Sequence, residues 1–175
     1  MTRNLPVEPS LAAATLEEEV SVLFATHRLP LLRYLLSLGV PVAVGEEVVQ
    51  EVFLALFRHL RQGKPRENLR GWIFRVGHNL GLRERLRSAR RPYVHLDESA
   101  ACPAPNPEQS ATASQRQRRL LAIVDCLPDQ HAHCLHLRAE GLRYREIAEV
   151  LGVSLGSVAA ILSRSLHKLT QAEAL

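Results

Sequence analysis

The sequence predicts an all-α protein of two small helical domains joined by an acidic, Pro-rich linker. Three observations carry that prediction. Aromatic residues make up only 5% of a chain that is 46% hydrophobic, so Leu, Ala and Val supply the apolar surface, and Leu and Ala favour helix. Apolar positions recur at three- and four-residue spacing, while the alternation that marks a strand is nearly absent. Between two such periodic stretches, Leu96 to Ser114 holds Pro103, Pro105 and Pro107 with Asp97, Glu98 and Glu108 and no basic residue. That composition cannot bury an apolar face and predicts a flexible linker.

The elements follow in order. Thr15-Leu-Glu-Glu18 resembles a capping box and predicts a helix start, with Glu17 to Glu19 at the positive end of its dipole. Val20, Leu23, Phe24, His27, Leu31, Tyr34, Leu35 and Leu38 continue at helical spacing. Pro30 is expected to kink or split this helix, and Gly39-Val-Pro41 ends it. A second helix spans about Gly45 to Leu60, its apolar face built from Val48, Val49, Val52, Phe53, Leu56, Phe57 and Leu60, with Glu46, Glu47, Gln50 and Glu51 opposite. Residues 61–70 form a basic loop. A third helix is expected from Leu69 to Ser88, with Ile73, Val76, Leu80 and Leu86 inward. Beyond the linker, helices are expected over Gln115 to Cys126, Asp129 to Ala139, Arg143 to Leu151 and Ser154 to Gln171.

The last two form a helix-turn-helix. Ile147, Ala148 and Leu151 give the first an apolar face, Gly152 stands where the chain must reverse out of it, and Ser154 can cap the second. Val158, Leu162 and Leu169 continue the stripe. The second helix of such a motif can enter the major groove of DNA.

Charge points the same way. The net charge of +4 hides an asymmetry, because Arg58 to Arg91 holds eleven basic residues against Glu67 and Glu84, a block of +9 in a chain whose remainder is −5. A concentrated positive block predicts a polyanion partner, although such a run is also what a solvated helix face looks like. The N-terminus has no signal-peptide core, no segment approaches the ~20 apolar residues of a membrane span, and Cys102, Cys126 and Cys134 form no CxxC pair. These features lead to the expectation of a cytoplasmic protein that does not insert into membranes.

Glu46-Glu-Val-Val-Gln-Glu-Val-Phe-Leu-Ala-Leu-Phe57, then Leu69-Arg-Gly-Trp-Ile-Phe-Arg-Val-Gly-His-Asn79, then Leu127-Pro and the helix-turn-helix, resemble extracytoplasmic-function (ECF) sigma factors, the small bacterial subunits that give RNA polymerase its promoter specificity. The resemblance implies a region 2 helical bundle over 15–91, a linker over 92–114 and a region 4 helix-turn-helix over 115–171. It implies core RNA polymerase and promoter DNA as partners, with an anti-sigma factor as a further partner that could cover the same surfaces. Glu47, Gln50 and Glu51, about one turn apart, would grip the polymerase clamp; the same stripe is otherwise an ordinary solvated face. Lys64, Arg66, Arg70, Asn79, Arg83 and Arg87 would hold minus-ten DNA, Asn79 because a side-chain amide both donates to and accepts from a base edge. Asn79 could instead bond to its own helix backbone. Trp72 opens a helix with an apolar face and is read as core, while Phe74 is open between core packing and base stacking. Arg143, Arg145, Ser154, Leu155, Ser157, Arg164 and Lys168 would meet the minus-thirty-five element.

Two departures from the family pattern stand out. Arg83 replaces a commonly acidic residue. The recognition helix lacks the usual basic residues near Ala159-Ala160-Ile161, so fewer phosphates can be neutralised there; an exposed Ile161 would instead mark a protein contact. Cys126, His131, His133, Cys134 and His136 fall within eleven residues, but the spacing matches no standard zinc motif, and Cys134 lies on an apolar face where a thiol is often a small hydrophobe. No metal, cofactor or intrinsic catalysis is expected. The rival readings are a conventional helix-turn-helix regulator of duplex operators and a Cys/His metal-responsive sensor. Neither has a use for the Gln50 stripe and the basic block.

Overall fold

A computed structural model describes residues 10–90, 124 and 126–173. The described helices are α1 (Ser10–Ser37), α2 (Val42–Arg61), α3 (Leu69–Arg90), α4 (Asp129–Ala139), α5 (Tyr144–Leu151) and α6 (Leu155–Glu173), and no described residue is in a strand. The expected linker over 92–114, nearly all of the expected helix over 115–126, Cys102 and the side chains of Arg90 and Arg91 lie outside the described residues.

The first three helices share one core. Leu31, Tyr34 and Leu35 of α1, with Leu38 just past its end, meet Val48, Val52 and Leu56 of α2 and Ile73 and Phe74 of α3, all buried. Phe74 packs against Tyr34 with ring centroids 5.9 Å apart, which places it in the core and not on a stacking platform. Trp72 is half-buried against His59, rings 4.9 Å apart. Of its large apolar residues helix α3 fully buries only Ile73 and Phe74, and it compensates by close approach. A Cβ on Gly77 would lie 2.6 Å from Leu31 Cδ1, and one on Gly81 would lie 2.7 Å from Leu35 Cδ2. These two glycines, one turn apart, let α1 lie directly on the α3 backbone.

Two expectations for these helices need correcting. Helix α1 begins at Ser10, not Thr15, and runs through Pro30 without a break. Proline removes one N–H from the ladder, but Leu31, Tyr34 and Leu35 immediately after it are fully buried at helical spacing, and that burial holds the helix together. Leu86 is 62% exposed, not inward, because the last turn of α3, residues 85–89, is exposed on every face.

The last three helices continue the same cluster of buried residues through Cys134, Leu137, Leu142, Ile147, Val150, Val158, Ile161 and Leu162. Gly152 ends α5 in the left-handed region at φ 65°, a conformation that costs a side-chain-bearing residue ~1 kcal/mol or more. Ser154 Oγ then accepts the Ser157 N–H at 3.0 Å, the expected N-cap. The axes of α5 and α6 turn by 106° across this break, the geometry of a helix-turn-helix.

The two bundles do not stand apart, although the composition between them predicted independent modules. Helix α3 lies along α5, and α1 touches α4. Arg33 donates Nε and Nη2 to the two oxygens of Glu140 at 2.9 and 2.6 Å, Asn68 Nδ2 donates to Glu149 at 2.9 Å, and Arg85 pairs with Asp129 at 2.9 Å. Arg70 donates to the Glu140 backbone carbonyl.

Candidate nucleic-acid and polymerase interface

Helix α2 turns Val48, Val49, Val52 and Leu56 inward, so Glu47, Gln50 and Glu51 are carried outward and all three are exposed. The structure adds what periodicity could not. Gln50 stands between two shallow clefts where α1 and α2 diverge. One, of about 250 Å³, is lined by Phe24, Arg28, Leu29, Leu32 and Val49. The other, of about 520 Å³, is lined by Val20, Phe24, Phe53, Leu54 and Phe57. Leu29 and Leu54 are exposed beside them. The surface around Gln50 is therefore mixed, with apolar walls and a polar centre, as in the core of a protein–protein interface. The α1 contribution was missed; its only signal was Leu29 falling off the buried periodicity.

The basic residues divide into two groups. Lys64 and Arg66 are exposed on the loop before α3, where Arg66 pairs with Glu19. Asn68 closes that loop at φ 52°, a left-handed conformation that asparagine tolerates, and its Oδ1 accepts the Gly71 N–H at 3.1 Å, capping α3. Arg70 follows, turned away from solvent towards Glu140, with its Nε buried and without a hydrogen-bond partner. Further along α3, Asn79, Arg83 and Arg87 are exposed at four-residue intervals, Arg87 also bonding Glu84 at 3.1 Å. Arg75, one turn before Asn79, is exposed as well and extends this row. Sequence reasoning counted it in the basic block without assigning it; the four-residue spacing was the signal.

On the helix-turn-helix, Arg143, Arg145, Ser154, Leu155, Ser157, Arg164 and Lys168 are all exposed. Arg164 Nε donates to the Ala160 carbonyl at 3.2 Å, which draws the guanidinium along its own helix. Ala159 and Ala160 are exposed, but Ile161 is only 4% exposed. It packs in the core with Val158 and Leu162 and is not a surface contact, because those three positions together fill the inner face of α6. The structure also brings residues expected to meet DNA from both bundles to one cleft. Arg70, Arg143, Arg145 and Leu155 line it together with Asn68, Glu146 and Glu149, in a volume of about 880 Å³ at the seam.

The Cys/His cluster disperses. Cys134 is fully buried, and burial pushes its thiol up to about 11, so it is a poor thiolate. Cys126 is exposed. His131 Nδ1 faces Ser165 Oγ at 3.3 Å. Among the described residues no three His, Cys, Asp or Glu side chains converge on a metal position, and no single helix is long and apolar enough to cross a membrane.

Comparison with known proteins agrees with this geometry. Residues 23–91 match the model of sigma-70 region 2 and residues 117–169 match that of sigma-70 region 4. The chain is 34% identical over 131 residues to the ECF RNA polymerase sigma factor SigE of Mycolicibacterium smegmatis, covering 71% of this chain and 50% of that protein. It thus spans half the length of that relative. It is 28% identical over 170 residues to the RNA polymerase sigma factor CnrH of Cupriavidus metallidurans, covering 91% of this chain and 88% of CnrH. Its fold is similar to the sigma factor RpoE of Bartonella quintana, solved with the anti-sigma factor NepR, at a TM-score of 0.65 and 18% identity over 90% of this chain and 98% of that one. With both region models matched in order along two helical bundles of the corresponding fold, the chain belongs to the sigma-70 family, as an ECF-type RNA polymerase sigma factor.

Proposed function

We propose that this chain binds core RNA polymerase, directs it to promoters and stabilises the melted minus-ten segment. The observation that carries the reading is the position of Gln50. It is exposed between two clefts with apolar walls on α1 and α2, one of them also lined by Arg28 and Glu46, on a bundle whose α3 presents a separate row of cations to solvent. A duplex-binding regulator would need the cations but not the apolar clefts. In this reading Glu47, Gln50 and Glu51 dock the polymerase. The exposed amide of Asn79 reads an unpaired base, with Lys64, Arg66, Arg70, Arg83 and Arg87 on flanking phosphates. Arg143, Arg145, Ser154, Leu155, Ser157, Arg164 and Lys168 face upstream duplex. The chain supplies binding energy and position, and the polymerase supplies the chemistry of nucleotide addition, so we assign no catalytic residue. The relative solved with NepR supports a proteinaceous inhibitor for this chain too, seated on the same surfaces.

The test is complex formation. Mixed with bacterial core polymerase, the protein is expected to elute as a one-to-one complex on size exclusion, and Gln50→Ala or Glu47→Ala to weaken it. No complex, together with tight binding to duplex DNA alone, would favour a conventional regulator.

A further inference from the structure

The seam between region 2 and region 4 contains a pair of buried histidines, one from each side. His78 of α3 and His133 of α4 meet edge to face with ring centroids 5.6 Å apart, and they are only 7% and 8% exposed. Each ring is held by its own surroundings. From α1, the Tyr34 hydroxyl hydrogen-bonds His78 Nδ1 at 2.7 Å, and the Tyr34 ring stacks on the imidazole at 6.0 Å. Around His133 stand Asp129 and His136 of its own helix and Arg85 of α3. Arg85 and Asp129 pair with each other, which leaves little net negative charge to receive a proton on either ring. Two imidazolium ions in this contact would repel each other without water between them.

We propose that this histidine pair is a proton-operated latch between the two regions, closed when both rings are neutral and released when they are protonated. Release frees Asn68 and Arg70 from Glu149 and Glu140, to which the closed form ties them; the consequence for DNA rests on the sigma reading above. The direction of the ring titrations agrees. Burial, with the charge of His133, lowers His78 to about 4. Burial is also the main cause of the lowering of His133, with Arg85 and His136 adding to it and Asp129 opposing. A third histidine on the seam, His27, is lowered by burial and by Arg70 against the opposing Glu146. For a histidine depressed in the closed form, closure is fully favoured above the open-form value of ~6.5 and weakens as pH falls below it. His78 alone raises the open-to-closed ratio about tenfold between pH 7.5 and 5.5, with His133 adding to that.

The experiment uses the full-length chain without polymerase or DNA, so its failure is separable from failure of the sigma reading. A donor and an acceptor dye are placed through non-canonical residues at Ala43 and Gln171, one on each region and both exposed. An Arg33→Ala background, lacking the bidentate pair to Glu140, brings the equilibrium into measurable range. Energy transfer is read from pH 7.5 to 5.5, with circular dichroism reporting that the helices persist. The open-to-closed ratio is expected to rise tenfold or more on acidification, and the rise is expected to flatten in His78→Asn, His133→Asn and the double variant. A ratio that does not change with pH, a dependence equally steep without the two histidines, or regions already apart at pH 7.5 in the unsubstituted chain would each overturn the latch.

Discussion

Helices α3 and α6 are each the helix expected to lie against nucleic acid, and their outer faces differ sharply. Helix α3 exposes Arg75, Asn79, Arg83, Arg85 and Arg87. Helix α6 exposes Leu155, Gly156, Ser157, Ala159 and Ala160 over its first two turns, and its exposed cations, Arg164 and Lys168, come only later. Phosphate neutralisation gives nucleic-acid affinity and its salt dependence, so in the proposed function region 2 would be the electrostatic anchor and region 4 would contribute shape and short side chains at the base edges. The inner faces differ in the same sense. Region 2 adds aromatic residues and close glycine contacts, at Tyr34, Phe53, Phe74, Gly77 and Gly81, to an aliphatic core, while region 4 buries aliphatic residues such as Leu137, Leu142, Ile147 and Leu162.

The sharpest way to break this comparison is through the cores. Phe74→Ala is expected to destabilise the protein by ~3–5 kcal/mol, read as a lower denaturation midpoint in urea, and to abolish polymerase and DNA binding together. Next comes the cation row. Arg83→Ala with Arg87→Ala should reduce the slope of log K against log salt by up to about 1.8, or ~0.9 for each duplex phosphate that is no longer neutralised, with little change in stability. Loss of the cap is smaller. Ser154→Ala removes the bond to the Ser157 N–H and should cost ~1 kcal/mol, confined to region 4 and visible as faster amide exchange in α5 and α6. Smallest is Arg164→Ala, whose guanidinium already bonds its own helix; the salt slope should fall by less than ~0.9. Conversely, Ala160→Lys on the exposed face of α6 should raise the slope and narrow the difference between the two regions.

Much of this molecule was legible in its sequence because helical periodicity reports burial directly. The inward face of α2, the bounds of α4 and the Gly152–Ser154 turn all follow from residue spacing and cap chemistry. Some features were not legible, for definite reasons. Periodicity cannot say where a helix outruns its partner, so Leu86 looked inward although residues 85–89 of α3 are all exposed. At Ile161 the absence of cations drew attention to the surface, whereas the position lies between Val158 and Leu162 on the inner face. The packing of region 2 on region 4 was invisible because polar pairs between residues far apart in sequence, such as Arg33 with Glu140 and Asn68 with Glu149, leave no periodic trace. His78 was passed over for the same reason. Its partner His133 looked like part of a metal cluster until the fold turned it towards α3.

The difference between the two regions is tested most directly by the salt dependence of binding to a fork-junction DNA, with the protein assembled on core polymerase. Arg83→Ala with Arg87→Ala should flatten log K against log salt by about twice as much as Arg164→Ala with Lys168→Ala. A larger loss from the α6 pair would contradict the assignment of region 2 as the electrostatic anchor.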